Sequence, residues 1–154
     1  MELRVTIAET AEEKNAALAL RWDVFVQEQR VPESLEQDEW DATATHFLAY
    51  AGDDAVGTAR LRPVGPKVAK VERVAVLSPY RRRGIGRALM DKIERYAKDL
   101  GMSEMILHAQ DRAVPFYKKL GYRVLGDPFE DAGIPHLKMS KPLSGESFPP
   151  LQGE

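Results

Sequence analysis

The stretch from Val68 to Met90, VAKVERVAVLSPYRRRGIGRALM, limits the fold more than any other. It opens as a valine-rich strand over 68–77, then turns through three consecutive arginines and two glycines spaced one residue apart. From Ile85 the apolar period changes to that of a helix. Leu89, Ile93, Tyr96, Ala97 and Leu100 share one face, and Gly101 supplies the stop. A strand that feeds a one-sided helix through so short a turn needs a sheet for that helix to cover, which excludes all-helical and all-strand architectures.

The flanking segments extend the pattern. LRVTIAE alternates as a strand, and Thr10 caps a helix whose first turn carries Glu12 and Glu13. Leu18, Arg21, Trp22, Phe25, Val26 and Gln29 recur at helical spacing until Val31-Pro32 ends the run. Residues 32–45 form an acidic loop with Glu33, Glu36, Asp38, Glu39 and Asp41 and no basic residue. A hairpin follows, with strands near 45–51 and 55–62 joined by a Gly-Asp-Asp turn, and a turn over Pro63–Pro66 leads from it into the strand over 68–77, the third of this sheet. EMILHAQ (104–110) is a further strand, VPFYKKLGY (114–122) a short helix with Pro115 in its first turn, and YRVLG and PHLKMSK close the sheet. The element order, βα, ββ, βαβα, ββ, gives an α/β (α+β) fold with a mixed central sheet of six to seven strands and helices on both faces. One domain is expected over 1–143, followed by a flexible, polar, Pro/Gly-rich tail over 144–154.

Composition narrows the function. A 44% hydrophobic content over 154 residues builds a core without disulfides or metals. A net charge of −2 provides no general field for nucleic acid or membranes, and no metal-ligand spacing occurs. The absence of cysteine excludes thiolate chemistry and fits a cytoplasmic location, as does an N-terminus without a signal pattern.

Three like charges in such a chain need a purpose. At a strand-to-helix junction the first helical N–H groups lack backbone partners and carry the positive end of the dipole. Gly84 and Gly86 let the backbone curl around a ligand, while Arg81, Arg82 and Arg83 add charge-assisted hydrogen bonds. The combination suits a diphosphate. The spacing is that of neither a nucleoside-triphosphate loop nor a full dinucleotide fingerprint, since Leu89 and Met90 stand where a third glycine would be.

VERVAVLSPYRRRGIGRALM resembles motif A of the GCN5-related N-acetyltransferases, the GNAT superfamily, whose Arg/Gln-x-x-Gly-x-Gly/Ala signature falls on Arg81–Gly86. FYKKLGY resembles motif B, and LRWDVFVQEQRVP and FEDAGIPHLKM are similar to the ElaA/YjcF-like subgroup. The resemblance covers about residues 3–142. It implies acetyl-CoA as acyl donor, held in a cleft between two splayed strands. The pantetheine arm would lie on the backbone of Val74, Ala75 and Val76, and the pyrophosphate on Arg81, Arg82, Arg83, Gly84, Ile85, Gly86 and Arg87. It also implies Tyr117 as the group that protonates the departing thiolate, whose acidity a phenol approaches.

Glu72 is a candidate base on the same strand face as Val74 and Val76, with a salt bridge to Arg60 or Arg62 as its alternative. His108 is a second candidate, and Phe25, Glu28 and His136 fall on the acceptor side. His46 has no functional argument. The acidic segment 33–41 would favour a cationic acceptor, because its carboxylates have no basic partner nearby in sequence. With no cysteine to form an acyl-enzyme, a small-molecule amine attacks the thioester directly in a ternary complex, the carbonyl polarised by a backbone N–H near Val76. A homodimer is compatible with this reading. The alternatives are a catalytically silent CoA-binding module, a basic-turn nucleic-acid binder, which the net charge opposes, and acyl-homoserine-lactone synthesis, for which the chain is short.

Overall fold

Thr10 opens the first helix as its sequence requires. Its hydroxyl accepts from the Glu13 amide at 3.1 Å, and the Glu13 carboxylate accepts from the Thr10 amide at 3.0 Å, a closed capping box. The computed structural model describes residues 2–143, so the expected tail over 144–154 lies outside the described residues. Backbone contacts divide the chain into two units, the first up to Arg62 with Val71–Arg95 and the second Pro63–Lys70 with the residues from Tyr96 onward.

The first unit holds β1 (Leu3–Ile7), α1 (Ala11–Arg21), β2 (Thr45–Ala51) and most of β3 (Asp54–Gly65) and β4 (Val68–Val76). The strands lie in chain order, with β2 antiparallel to both β1 and β3. Ala17 and Leu20 of α1 pack with Ala8 and Leu48. The helix does not continue as a regular α-helix to Gln29: Trp22–Glu28 is a π-helix, with the Gln29 amide donating to the Val24 carbonyl five residues back. Nor is 32–45 all loop. It contains α2 (Glu33–Glu36) and a 3₁₀ turn at Glu39–Ala42, capped by the Asp38 carboxylate on the Trp40 amide at 3.0 Å.

Helix α3 (Ile85–Asp99) buries Ile85, Leu89, Met90, Ile93 and Ala97. Gly57 of β3 decides how close it comes. A Cβ there would stand 3.1 Å from Ile85 Cγ2, 3.2 Å from Leu89 Cδ1 and 3.3 Å from the Ala75 carbonyl. Gly57→Val therefore has to push α3 off the strand, and we expect a loss of about 2–3 kcal/mol, read as a lower urea midpoint. An unchanged midpoint would show that α3 accommodates the bulk.

The second unit holds β5 (Glu104–Gln110), α4 (Val114–Lys119), β6 (Arg123–Asp131) and β7 (Ile134–Pro142). β7 pairs antiparallel with both β5 and β6. β6 runs further than the YRVLG segment suggests, to Asp131, because the register slips between Leu125 and Phe129. Gly126 at φ +75° sits in that bulge, and so does Pro128, where a missing N–H breaks no regular ladder. The expectation of a mixed α/β fold holds, with seven strands among the described residues.

Candidate active site

The turn between β4 and α3 is built from its backbone. A 3₁₀ turn at Ser78–Tyr80 leads into Arg82 at φ +63° and Gly84 at φ +81°, and the first helical bond runs from the Ala88 amide to the Gly84 carbonyl at 3.0 Å. That geometry leaves the early amides of α3 without intrahelical partners beside exposed Arg82, Arg83 and Arg87. Ile85 is buried, so any part it plays is through its main chain, and Gly86 is half-buried. The Arg83 guanidinium lies 5.7 Å from the Tyr80 ring centroid.

Arg81 is different. Its Nε donates to the Val76 carbonyl at 2.9 Å, and its Nη1 and Nη2 donate to the Glu28 carboxylate at 2.5 and 2.6 Å. The hydrogen bonds to Glu28 hold its guanidinium more firmly protonated than usual. The three arginines thus separate into one that fastens the turn and two that present charge. Glu28, expected on the acceptor side, is the other half of this fastening. Phe25 lies half-buried in the π-helix. Val74 and Val76 are half-buried and Ala75 buried, and the Leu77 amide beyond them donates to the Val56 carbonyl at 2.9 Å.

The same unit contains an ion network whose partners come from distant parts of the sequence. Arg21, wholly buried, donates to Glu36 through Nε at 2.9 Å and Nη2 at 2.7 Å, and to Asp41 through Nη1 at 2.6 Å. Arg60, also buried, donates to both oxygens of Asp38 at 2.7 Å, to Asp41 at 2.8 Å and to Glu72 at 3.2 Å. Arg62 adds a 2.6 Å bond to Glu72 and lies over the Trp40 ring. Burial alone would push the Asp41 carboxyl up, but bonds from Arg21, the Asp38 amide and Arg60 hold it far below the usual range. The balance at Asp38 has the same sign, with Arg60 as its chief partner.

Two expectations change here. The acidic segment does not lack basic partners, since Glu36, Asp38 and Asp41 are neutralised by arginines from α1 and β3. This takes three of the five carboxylates out of the expected cationic-acceptor patch and leaves Glu33 and Glu39 exposed. Glu72 forms the salt bridge that was its alternative, and forms it to both arginines. His46 donates through Nε2 to the Asp41 carbonyl at 2.9 Å, a structural bond.

In the second unit Tyr117 is buried, with Phe116 and Tyr122 edge-on at 5.0 and 5.9 Å, and burial pushes its phenol well above the ordinary value. His108 is exposed on β5 and meets Phe129 edge-on at 5.0 Å; Phe129 stacks on His136 at 5.9 Å. Two candidate histidines are thus brought together across a phenylalanine that sequence reasoning missed. The register shift that carries Phe129 opposite His136 leaves no local signal. His136 Nδ1 donates to the Ile134 carbonyl at 2.7 Å.

A family model described as an acetyltransferase (GNAT) domain matches residues 7–143. The chain belongs to the GNAT acetyltransferases. Within this family it is 44% identical over 140 residues, 90% of this chain and 99% of the relative, to the uncharacterised N-acetyltransferase YjcF of Bacillus subtilis. The crystal structure of Escherichia coli ElaA superposes with a TM-score of 0.80 at 26% identity, covering 91% of this chain and 98% of that one. These matches place the chain in the ElaA/YjcF-like group. A Bacillus subtilis acetyltransferase in complex with CoA shares the fold, with a TM-score of 0.71 at 18% identity over 92% of this chain and 99% of that one. N-acetyl transfer is the reaction class of the family. In this GNAT chain the motif A turn and the arginine network belong to one unit, and no helix among the described residues is long and apolar enough to cross a membrane.

Proposed function

We propose that the protein transfers an acetyl group from acetyl-CoA to a primary amine by direct attack in a ternary complex. The observation that carries this is the turn over Arg82–Gly86. Gly84 at φ +81°, the unpartnered amides at the start of α3 and two exposed guanidiniums form a cradle with the charge and shape of a diphosphate. CoA bound to the related acetyltransferase supports the choice of donor. The backbone of Val74–Val76 is assigned to the pantetheine arm.

A neutral amine nitrogen attacks the thioester carbon, the C–S bond breaks, and the thiolate leaves with the electron pair. Tyr117 is assigned to protonate it. Burial pushes the phenol up from its ordinary value and so favours its neutral, proton-bearing form. His108, exposed on its strand, is assigned to take the proton the amine gives up, and Glu72 the structural part of fixing Arg60 and Arg62. Phe129 with His136 would present a flat aromatic surface to the acceptor.

Calorimetric titration of acetyl-CoA, followed by thiol release across a panel of amines, tests the proposal. Saturable binding with thiol release from at least one amine is the expected result. Binding without release from any amine would make the chain a CoA-binding module, and absence of binding would remove the donor assignment. Tyr117→Phe is expected to lower kcat about 100-fold with acetyl-CoA affinity unchanged; full activity in that variant would move the proton donor elsewhere.

A further inference from the structure

Arg73 is the one non-glycine residue inside a strand of the described residues with a left-handed backbone, at φ +56°; Arg30, Lys67, Arg82 and Ala132 take such values in turns and connections. A long side chain holds that conformation only where its surroundings impose it. They do so here. Arg73 Nε donates to the Glu36 carbonyl at 3.1 Å and lies 3.5 Å from the Glu36 carboxylate, and Nη2 donates to Asp38 Oδ2 at 3.3 Å. Glu36 and Asp38 are themselves immobilised by Arg21 and Arg60.

Three residues further on, Val76 accepts the bond from Arg81, whose guanidinium is fastened to Glu28. The backbone of Val74–Val76 therefore runs between two guanidiniums, one at each end. Both are tied to the segment from the π-helix to Asp38. Neither tie is an effective device for overall stability, because Arg81, Glu28 and Arg73 are all partly exposed. Their geometry suits positioning.

We propose that Arg73 and Arg81 are positioning residues that make residues 28–38 a brace for the donor-binding backbone of β4. The segment that sequence reasoning took for an acceptor-selecting acidic patch fixes the strand on which the thioester would lie. This rests on the acyl-donor reading above, and its test is arranged to separate the two.

Hydrogen exchange over residues 71–77 of the ligand-free full chain, and acetyl-CoA affinity by calorimetry, are measured for the wild type, Arg73→Gly, Glu28→Gln and Arg62→Gln. Glycine accepts φ +56° without strain, so Arg73→Gly removes the tie and keeps the backbone. Arg73→Gly and Glu28→Gln are expected to speed exchange over 71–77 at least about fivefold and to raise the acetyl-CoA Kd about tenfold. Arg62→Gln, which breaks the pair with Glu72 but leaves the Arg73 and Arg81 ties intact, is expected to keep acetyl-CoA affinity at the wild-type value and to speed exchange over 71–77 less than either tie variant. Wild-type exchange and affinity in both tie variants would overturn the proposal, as would a uniform rise in exchange along the whole chain. If wild-type protein does not bind acetyl-CoA, the donor reading fails and the exchange over 71–77 alone decides the brace.

Discussion

Acetyl-CoA titrated into an Arg82→Glu, Gly84→Asp double variant is expected to give no measurable heat, a loss of at least about 100-fold or about 3 kcal/mol. Three effects point the same way. Arg82→Glu reverses an exposed charge beside the cradle, and Gly84→Asp puts a carboxylate against the amides that would receive the diphosphate. Any side chain at Gly84 also has to adopt φ +81°, at a cost of about 1–2 kcal/mol. A Cβ at that position meets nothing within 4 Å, so the loss is not one of crowding. The turn is exposed, and the melting temperature should stay within a few degrees of the wild type. Retained binding with a folded variant would show that the donor's diphosphate lies elsewhere, and the proposed function would lose its main support.

Arg21→Met carries the largest expected effect on stability. The guanidinium is fully buried and makes its bonds to Glu36, itself 4% exposed, and to Asp41. Without it Asp41 keeps only Arg60 and buried Glu36 only the longer 3.5 Å contact to Arg73, a loss of about 3 kcal/mol that lowers the melting temperature by roughly 6–12 °C in a chain of this size. The replacement keeps most of the apolar stem, so the loss reads the charge and not a cavity.

The same network sets the acid sensitivity. Asp38 and Asp41 have carboxyls lowered in the folded state, so on acidification the unfolded chain takes up protons before the folded one. Their contribution is complete above the unfolded carboxyl value of about 4 and is lost as pH falls below it towards their folded values. The melting temperature should be level from pH 7 to 5 and fall below about pH 4. A flat profile down to pH 3 would show that these ion pairs do not stabilise the fold.

Much of this molecule is written locally. The valine alternation of β4, the switch to helical period at Ile85, the Thr10–Glu13 box and the glycine after α3 each depend on residues within a few positions of one another. Backbone sterics, dipoles and side-chain periodicity act over that range, so the strand–turn–helix was legible from the sequence. Only the tertiary structure decided which arginine does what. Arg81, Arg82 and Arg83 are chemically identical and adjacent, yet one fastens the turn to Glu28, 53 positions away, and two stay exposed. The acidic segment looked unpartnered because its counter-charges lie 15–37 positions earlier or later in the chain. The strained backbone at Arg73 has no sequence signal, because the contacts that impose it come from Glu36 and Asp38. Ion pairing falls off over a few ångströms in space and is indifferent to separation along the chain, so the sequence determines which charges exist and the fold determines which of them meet.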